Sequence, residues 1–313
     1  MFSNRIDGSG LRRGGLGCAM ARYALSFCLT IGLVAGWCLS TTRPAQAKTF
    51  LDGGPGCGAP ARISSEVTPN HPFEVIARYP HDQSAFTQGL TFYHGNLYES
   101  TGIHRQSSLR QLDLESGKVL KIRRLSNDMF GEGLAAVNNQ LVQLTWQSGS
   151  AFTYSPSDLR QTGGFNIGGE GWGVTVEDKY LVISDGSSWL RFLDTSHYQQ
   201  KFTLQVKEHG RPVEGLNELE TVRGLIYANI YPGDCIAQID PQSGQVLGWI
   251  DLKGLMPWTE RKNHTAVANG IAYNPETGKL FVTGKLWPYI YQLKLLKKVA
   301  LPDKQTALPA TSG

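Results

Sequence analysis

The sequence predicts an all-β fold: a single five-bladed β-propeller closed by an N-terminal outer strand. Three observations carry this. First, five segments repeat one phrase of a small or polar residue, an aliphatic run, a turn and a second apolar run. They are "QGLTFYHGNLYESTG" from Gln88, "EGLAAVNNQLVQLTW" from Glu132, "WGVTVEDKYLVISDG" from Trp172, "NELETVRGLIYANIY" from Asn217 and "NGIAYNPETGKLFVTG" from Asn269. Their starts lie 44, 40, 45 and 52 residues apart, the spacing of four-stranded blades. Second, a third and usually a fourth short strand follow each hairpin, as "SLRQLDL" and "KVLKIRRL" do. Third, the fifth unit has only three strands, and "FEVIARYP" (73–80) supplies the missing outer one. Joining the two ends in this way leaves no open terminal edge.

Ahead of the ring, residues 1–47 have the layout of a secretory signal. Arg5, Arg12, Arg13 and Arg22 precede 18 uncharged residues (23–40), and Ala45-Gln46-Ala47 gives a small-x-small cleavage site. Cleavage after Ala47 and export, to the periplasm or outside the cell, are expected. An uncleaved anchor is the alternative, since that stretch approaches the roughly 20 residues that span a bilayer. Met20 is an alternative start, and the surroundings of Arg12-Arg13 do not support a twin-arginine signal. Residues 48–69, rich in Gly and Pro, form an N-terminal extension, 70–296 the propeller and 297–313 a C-terminal tail.

Charge and cysteine follow from that division. Residues 1–47 carry five Arg and one Asp, a net of +4 equal to the formal charge of the whole chain. The remainder is neutral, so neither a nucleic-acid nor a membrane-surface partner is expected. Cys18, Cys28 and Cys38 leave with the signal; Cys57 and Cys235 either pair or remain separate thiols. The seven histidines are scattered, and no Cys or His spacing resembles a zinc site.

In a propeller the first strand of each blade lines the channel and the second returns antiparallel, so the start of one and the end of the other share a face. That face collects Gln88, Glu132, Trp172, Asn217 and Asn269, with Phe86 and Phe130 two residues upstream. At the ends of the second strands it adds Trp146, Asp185, Asn229, Tyr231, Lys285 and Trp287. An aromatic-walled mouth holding one acid, one amine and several amides is a pocket by construction. Each member also has a plainer explanation. Asn217 and Asn269 suit turn caps, Asp185 a turn, the indoles packing between blades, Glu99 a bond to a neighbouring loop, and Glu132 a solvated position. Joint placement favours the pocket. Beside Phe130 and indoles the charged form of Glu132 is disfavoured, which suits a proton shuttle.

Read in order, "FTQGL", "ESTG", "FGEGL", "GWG", "SDG", "LNELE", "DCIA", "NGIAY" and "FVTGKLWP" resemble the glutamine cyclotransferase family, the plant-type glutaminyl cyclases. The resemblance runs from Phe73 to Leu295. It implies a five-bladed propeller acting on N-terminal glutaminyl peptides or proteins, forming pyroglutamate and ammonia without a metal. It further implies Glu132 as catalytic acid/base, and Phe86, Gln88, Phe130, Trp146, Trp172, Asn217 and Lys285 as pocket residues. One departure is that the family pattern "ANIW" reads "ANIY", so Tyr231 stands where an indole is expected. For some members a structural calcium in the channel is implied; no acidic ligand loop here identifies one, and no cofactor is expected. The expected state is a monomer.

Cyclisation needs an unprotonated α-amine, and a group of pKa about 8 is mostly protonated near neutrality. Glu132 is expected to take that proton and return one to departing ammonia. Lys285, also catalytic, with Asn217 or an indole N–H, is expected to stabilise the oxyanion. Gln88 and Asn217 are expected to read the substrate amide, and Tyr231 to complete the aromatic wall. Two rivals are a non-catalytic propeller binding peptide or protein on the same face and a metal-dependent propeller hydrolase.

Overall fold

The computed structural model of the protein describes residues 49–50, 57 and 68–296. The expected signal (1–47) and tail (297–313) lie outside the described residues, as does most of 48–69. Three hairpins close on two-residue turns, His94-Gly95, Asn138-Asn139 and Arg223-Gly224, in which both residues take positive φ. That is the type I′ geometry, whose twist matches that of the flanking strands.

From the channel outward, blade 1 is Thr87–Tyr93, Asn96–Thr101, Ser108–Leu112 and Val119–Arg124. Blade 2 is Gly131–Val137, Gln140–Thr145, Ser150–Tyr154 and Gln161–Asn166. Blade 3 is Val174–Glu177, Tyr180–Ile183, Trp189–Asp194 and Gln200–Gln205. Blade 4 is Leu216–Val222, Leu225–Ile230, Cys235–Ile239 and Val246–Asp251. In blade 5, Ala268–Asn274, Lys279–Gly284 and Tyr289–Leu295 are followed by Phe73–Pro80. Phe73 pairs with Leu295 and Pro80 with Tyr289. The inner strands neighbour one another in a cycle that returns from Ala268–Asn274 to Thr87–Tyr93.

The core is correspondingly divided into five seams, one between each pair of neighbouring blades. Leu90, Leu97 and Leu112 of blade 1 meet Ala272, Phe281 and Ile290 of blade 5; an unclosed ring would lack this seam. Inner strands are buried nearly throughout, whereas the outer strand Val119–Arg124 is exposed at every residue. The N-terminal segment is fastened before it reaches blade 5. Asn70 bridges to Trp249, and Cys57 is disulfide-bonded to Cys235, both in blade 4. The two cysteines, left open by the sequence, are therefore paired.

Four inner strands shift register at their first residues, between Thr87 and Gly89, Gly131 and Leu134, Leu216 and Leu219, and Ala268 and Ile271. Such bulges give one strand an extra residue and re-aim its side chain. Gln88, Glu132, Asn217 and Asn269 occupy these shifts. The residue after each start of phrase is glycine in four repeats, for reasons of space. A Cβ on Gly173 would stand 1.9 Å from the Asn217 carbonyl oxygen, and one on Gly89 2.5 Å from the Leu134 nitrogen. Blade 4 has Glu218 instead. Its carboxylate accepts the N–H of Leu90 at 3.2 Å and of Ile271 at 2.9 Å, joining three inner strands across the channel.

Candidate active site

At the bulged end of the inner strands lies a cavity of about 260 Å³. It is lined by Phe86, Gln88, Ile103, Phe130, Glu132, Trp146, Trp172, Asn217, Tyr231 and Lys285. Of the residues the sequence placed at this mouth, nine line it, Phe86, Gln88, Phe130, Glu132, Trp146, Trp172, Asn217, Tyr231 and Lys285, drawn from all five repeats. The floor is polar and buried, with Gln88, Glu132, Asn217 and Lys285 at 2 to 5% exposure. The rings and Ile103 form the half-buried rim.

Glu132 is held from both sides of its peptide. Ser100 Oγ donates to its carbonyl, and the next residue, Gly133, donates its N–H to the Trp172 carbonyl at 2.7 Å. Its side chain ends a directed chain of amides. Asn269 Nδ2 donates to the Thr87 carbonyl at 3.0 Å and to Gln88 Oε1 at 2.8 Å; Gln88 Nε2 donates to Glu132 Oε1 at 2.7 Å. The Thr87 carbonyl can only accept, so it fixes which end of each amide faces forward. Gln88 is thus engaged at both ends and orients Glu132, in place of the expected role of reading a substrate amide. Asn217 Oδ1, by contrast, is buried without a hydrogen-bond partner among the described residues and stays available to a guest N–H.

Burial pushes the Glu132 carboxyl well above its ordinary range; Lys285 and the Gln88 amide oppose this, and Glu170 adds to it. Lys285 moves the other way, pulled down to about 8 by burial against the attraction of Glu132. Its Nζ lies 4.9 Å from the ring centroids of both Phe86 and Tyr231, a cation–π position on each side. Phe86 meets Phe130 edge-on at 6.2 Å, Phe130 meets Trp146 at 5.6 Å, and Trp172 meets Tyr231 at 5.9 Å.

Three further expectations are corrected. Neither indole N–H is free to serve an oxyanion: Trp146 Nε1 and Trp172 Nε1 both donate to Glu170 Oε2, at 2.9 and 3.1 Å. Trp287 is no part of the mouth. It is fully buried beneath Gly284 and donates to the Ala266 carbonyl. Asp185 and Asn229 do not line the cavity; Asp185 receives Ser187 N–H and Oγ–H in a local turn, and Asn229 receives the Gly270 N–H. Glu99 accepts from His81 Nε2 and Thr87 Oγ1, both at 2.8 Å, the structural role its plainer explanation proposed. Glu170 and Ile103 escaped the sequence because each lies in a loop outside the repeated phrase.

The donor sets fit a resident metal poorly. Among the described residues, the one cluster of three His, Cys, Asp or Glu ligand atoms is Cys57, Cys235 and Asp251, and its two sulfurs are already bonded to each other. In the channel, Glu218 and Glu220 direct carboxylate oxygens to backbone N–H groups of Leu90, Ile271 and Tyr273.

With this geometry in place, the comparisons agree. A family model described as Glutamine cyclotransferase matches residues 54–295. The chain is 40% identical over 251 residues to an Arabidopsis thaliana protein named glutaminyl-peptide cyclotransferase, covering 79% of this chain and 77% of that one. The crystal structure of Myxococcus xanthus glutaminyl cyclase is similar at 42% identity and a TM-score of 0.68, over 71% of this chain and 96% of that one. The family model spans most of the chain, and the Arabidopsis protein is 40% identical over 79% of it; the chain belongs to the glutamine cyclotransferase family.

Proposed function

We propose that the protein converts the N-terminal glutamine of peptides or proteins to pyroglutamate and releases ammonia, with Glu132 as general acid/base. The observation that carries this is the Glu132 carboxyl itself, buried, reluctant to ionise and aimed by Gln88 into a cup of rings. The name of the Arabidopsis relative supports the same substrate class. The α-nitrogen attacks the side-chain amide carbon and closes a five-membered ring. As the N–C bond forms, the nitrogen passes a proton to Glu132 in its carboxylate form, which Lys285 and the Gln88 amide favour against burial. Glu132 then delivers a proton to the amide nitrogen, and the C–N bond breaks to release ammonia. Lys285 donates to the developing oxyanion, and Asn217 Oδ1 accepts an N–H of the substrate. The rings exclude water and keep the side chain folded back, since ring closure depends strongly on orientation.

No step requires a metal, so ammonia release from an N-terminal glutaminyl dipeptide is expected to persist in chelator. Glu132→Gln keeps the shape and the Gln88 contact but removes the proton relay. We expect kcat to fall by roughly 10²- to 10⁴-fold with the melting temperature unchanged or raised. Undiminished turnover in that variant would refute the assignment. The signal-like leader and the Cys57–Cys235 bond support export to an oxidising compartment; cell fractionation tests this.

A further inference from the structure

The side chains around the cup form a closed belt. Phe86, Phe130 and Trp146 are in successive ring contact, Trp172 is in contact with Tyr231, and Lys285 joins Tyr231 back to Phe86. The gap between Trp146 and Trp172 is spanned by Glu170. One carboxylate oxygen takes both indole N–H bonds, at 2.9 and 3.1 Å, and the other accepts Gln147 Nε2 at 3.3 Å.

Glu170 is in turn firmly mounted. Arg191 donates from Nη2 to its main-chain carbonyl and from Nη1 to that of Ile167. The chain reaches it through Gly168 and Gly169, at φ of 70° and 146°, the second a conformation essentially confined to glycine. Trp172 lies flat on Gly186, where a Cβ would stand 2.7 Å from the ring. The two indoles come from different blades, and a single acceptor fixes one relative to the other.

We propose that Glu170 is a positioning residue: by receiving both indole N–H groups on one oxygen, it sets the angle between the two tryptophan walls against which the N-terminal glutamine folds. This rests on the cyclase assignment above. Glu170 does not line the cup and its oxygens are occupied, so it acts through Trp146 and Trp172. Its charge has a second effect, because it disfavours ionisation of Glu132. The other charged groups bearing on the pair are Lys285 beside Glu132, Arg191 at the Glu170 carbonyl, and Asp185, whose carboxylate lies 4.0 Å from Arg191 Nε.

Two variants separate these effects. Glu170→Ala removes the acceptor, and we expect KM for a glutaminyl dipeptide to rise about 10-fold or more with a smaller change in kcat. Glu170→Gln keeps an oxygen for the indoles but no charge. It should restore KM to within about 3-fold of wild type while moving the acidic limb of the kcat/KM profile to lower pH. A merely structural role would lower the melting temperature of both variants and leave that limb in place. Indole ¹H–¹⁵N resonances of Trp146 and Trp172 supply a readout independent of turnover, expected to move upfield in Glu170→Ala and return in Glu170→Gln. Wild type that releases no ammonia overturns the cyclase assignment, and the resonances still decide the positioning. Glu170→Ala with both resonances and KM unchanged overturns the positioning role.

Discussion

Lys285 is a cation placed among rings, with Phe86 and Tyr231 each 4.9 Å from its Nζ. Burial brings it down to about 8, so its charge, needed at the oxyanion, is lost as pH rises through that value. kcat/KM of the wild type should therefore decline above about pH 8. Lys285→Met should remove that limb and lower kcat by roughly 10²- to 10³-fold, the usual effect of deleting one oxyanion donor. An unchanged alkaline limb in the variant would assign it to another group. At Tyr231 it is the ring that faces both Lys285 and Trp172, so Tyr231→Phe should keep kcat/KM within about 3-fold, consistent with a cation–π contact indifferent to the hydroxyl. Identity and face of these residues were legible in the sequence, because the repeat alone dictates which ends of strands meet. The direction of the amide chain was not. It depends on the carbonyl of Thr87, a backbone group that every residue possesses and no pattern marks.

Strands and turns were legible for a local reason: apolar runs and residues tolerant of positive φ mark each hairpin without reference to the rest of the chain. Bulges leave a fainter trace. One extra residue at the mouth of a strand hardly disturbs its alternation, yet it is where Gln88, Glu132 and Asn217 turn into the cup. The glycines beside them were visible as letters and opaque as physics until the spacing of inner strands was known. Gly173→Ala would place a methyl 1.9 Å from the Asn217 carbonyl, against backbone that cannot yield as a side chain would. We expect a destabilisation of about 3 kcal/mol or more, read as a lowered urea midpoint, with activity lost in proportion. Gly210, whose Cβ would meet nothing within 4 Å, identifies a control where the steric part of the penalty is absent; there only the strain of its positive φ remains.

Across the whole ring, Glu132, Glu218 and Glu220 are all raised by burial from the ordinary 4.5, Glu220 to about 8. The folded state holds these protons at pH values where the unfolded chain has released them. Stability they contribute is thus complete below pH 4.5 and is lost as pH rises through the folded values, at up to about 1.4 kcal/mol per unit for each group. Glu220→Gln retains an acceptor for the Tyr273 N–H, bonded at 2.8 Å in the wild type. It should flatten the decline in melting temperature between pH 5 and 8, and an unchanged slope would show that Glu220 does not hold its proton there. Blade number was legible in the sequence from period alone; the five separate seams and the fastening of Cys57 to blade 4 needed coordinates, since both are contacts between segments far apart in the chain. The pairing of Phe73 with Leu295 carries one more consequence. Phe73–Pro80 waits for Tyr289–Leu295, so the ring closes only once the strands of all five blades have been made. Yet Phe73 and Leu295 are paired neighbours in one sheet, close enough for a short linker, so the ring has no intrinsic starting point: a chain joined there and opened in an outer turn of another blade describes the same ring.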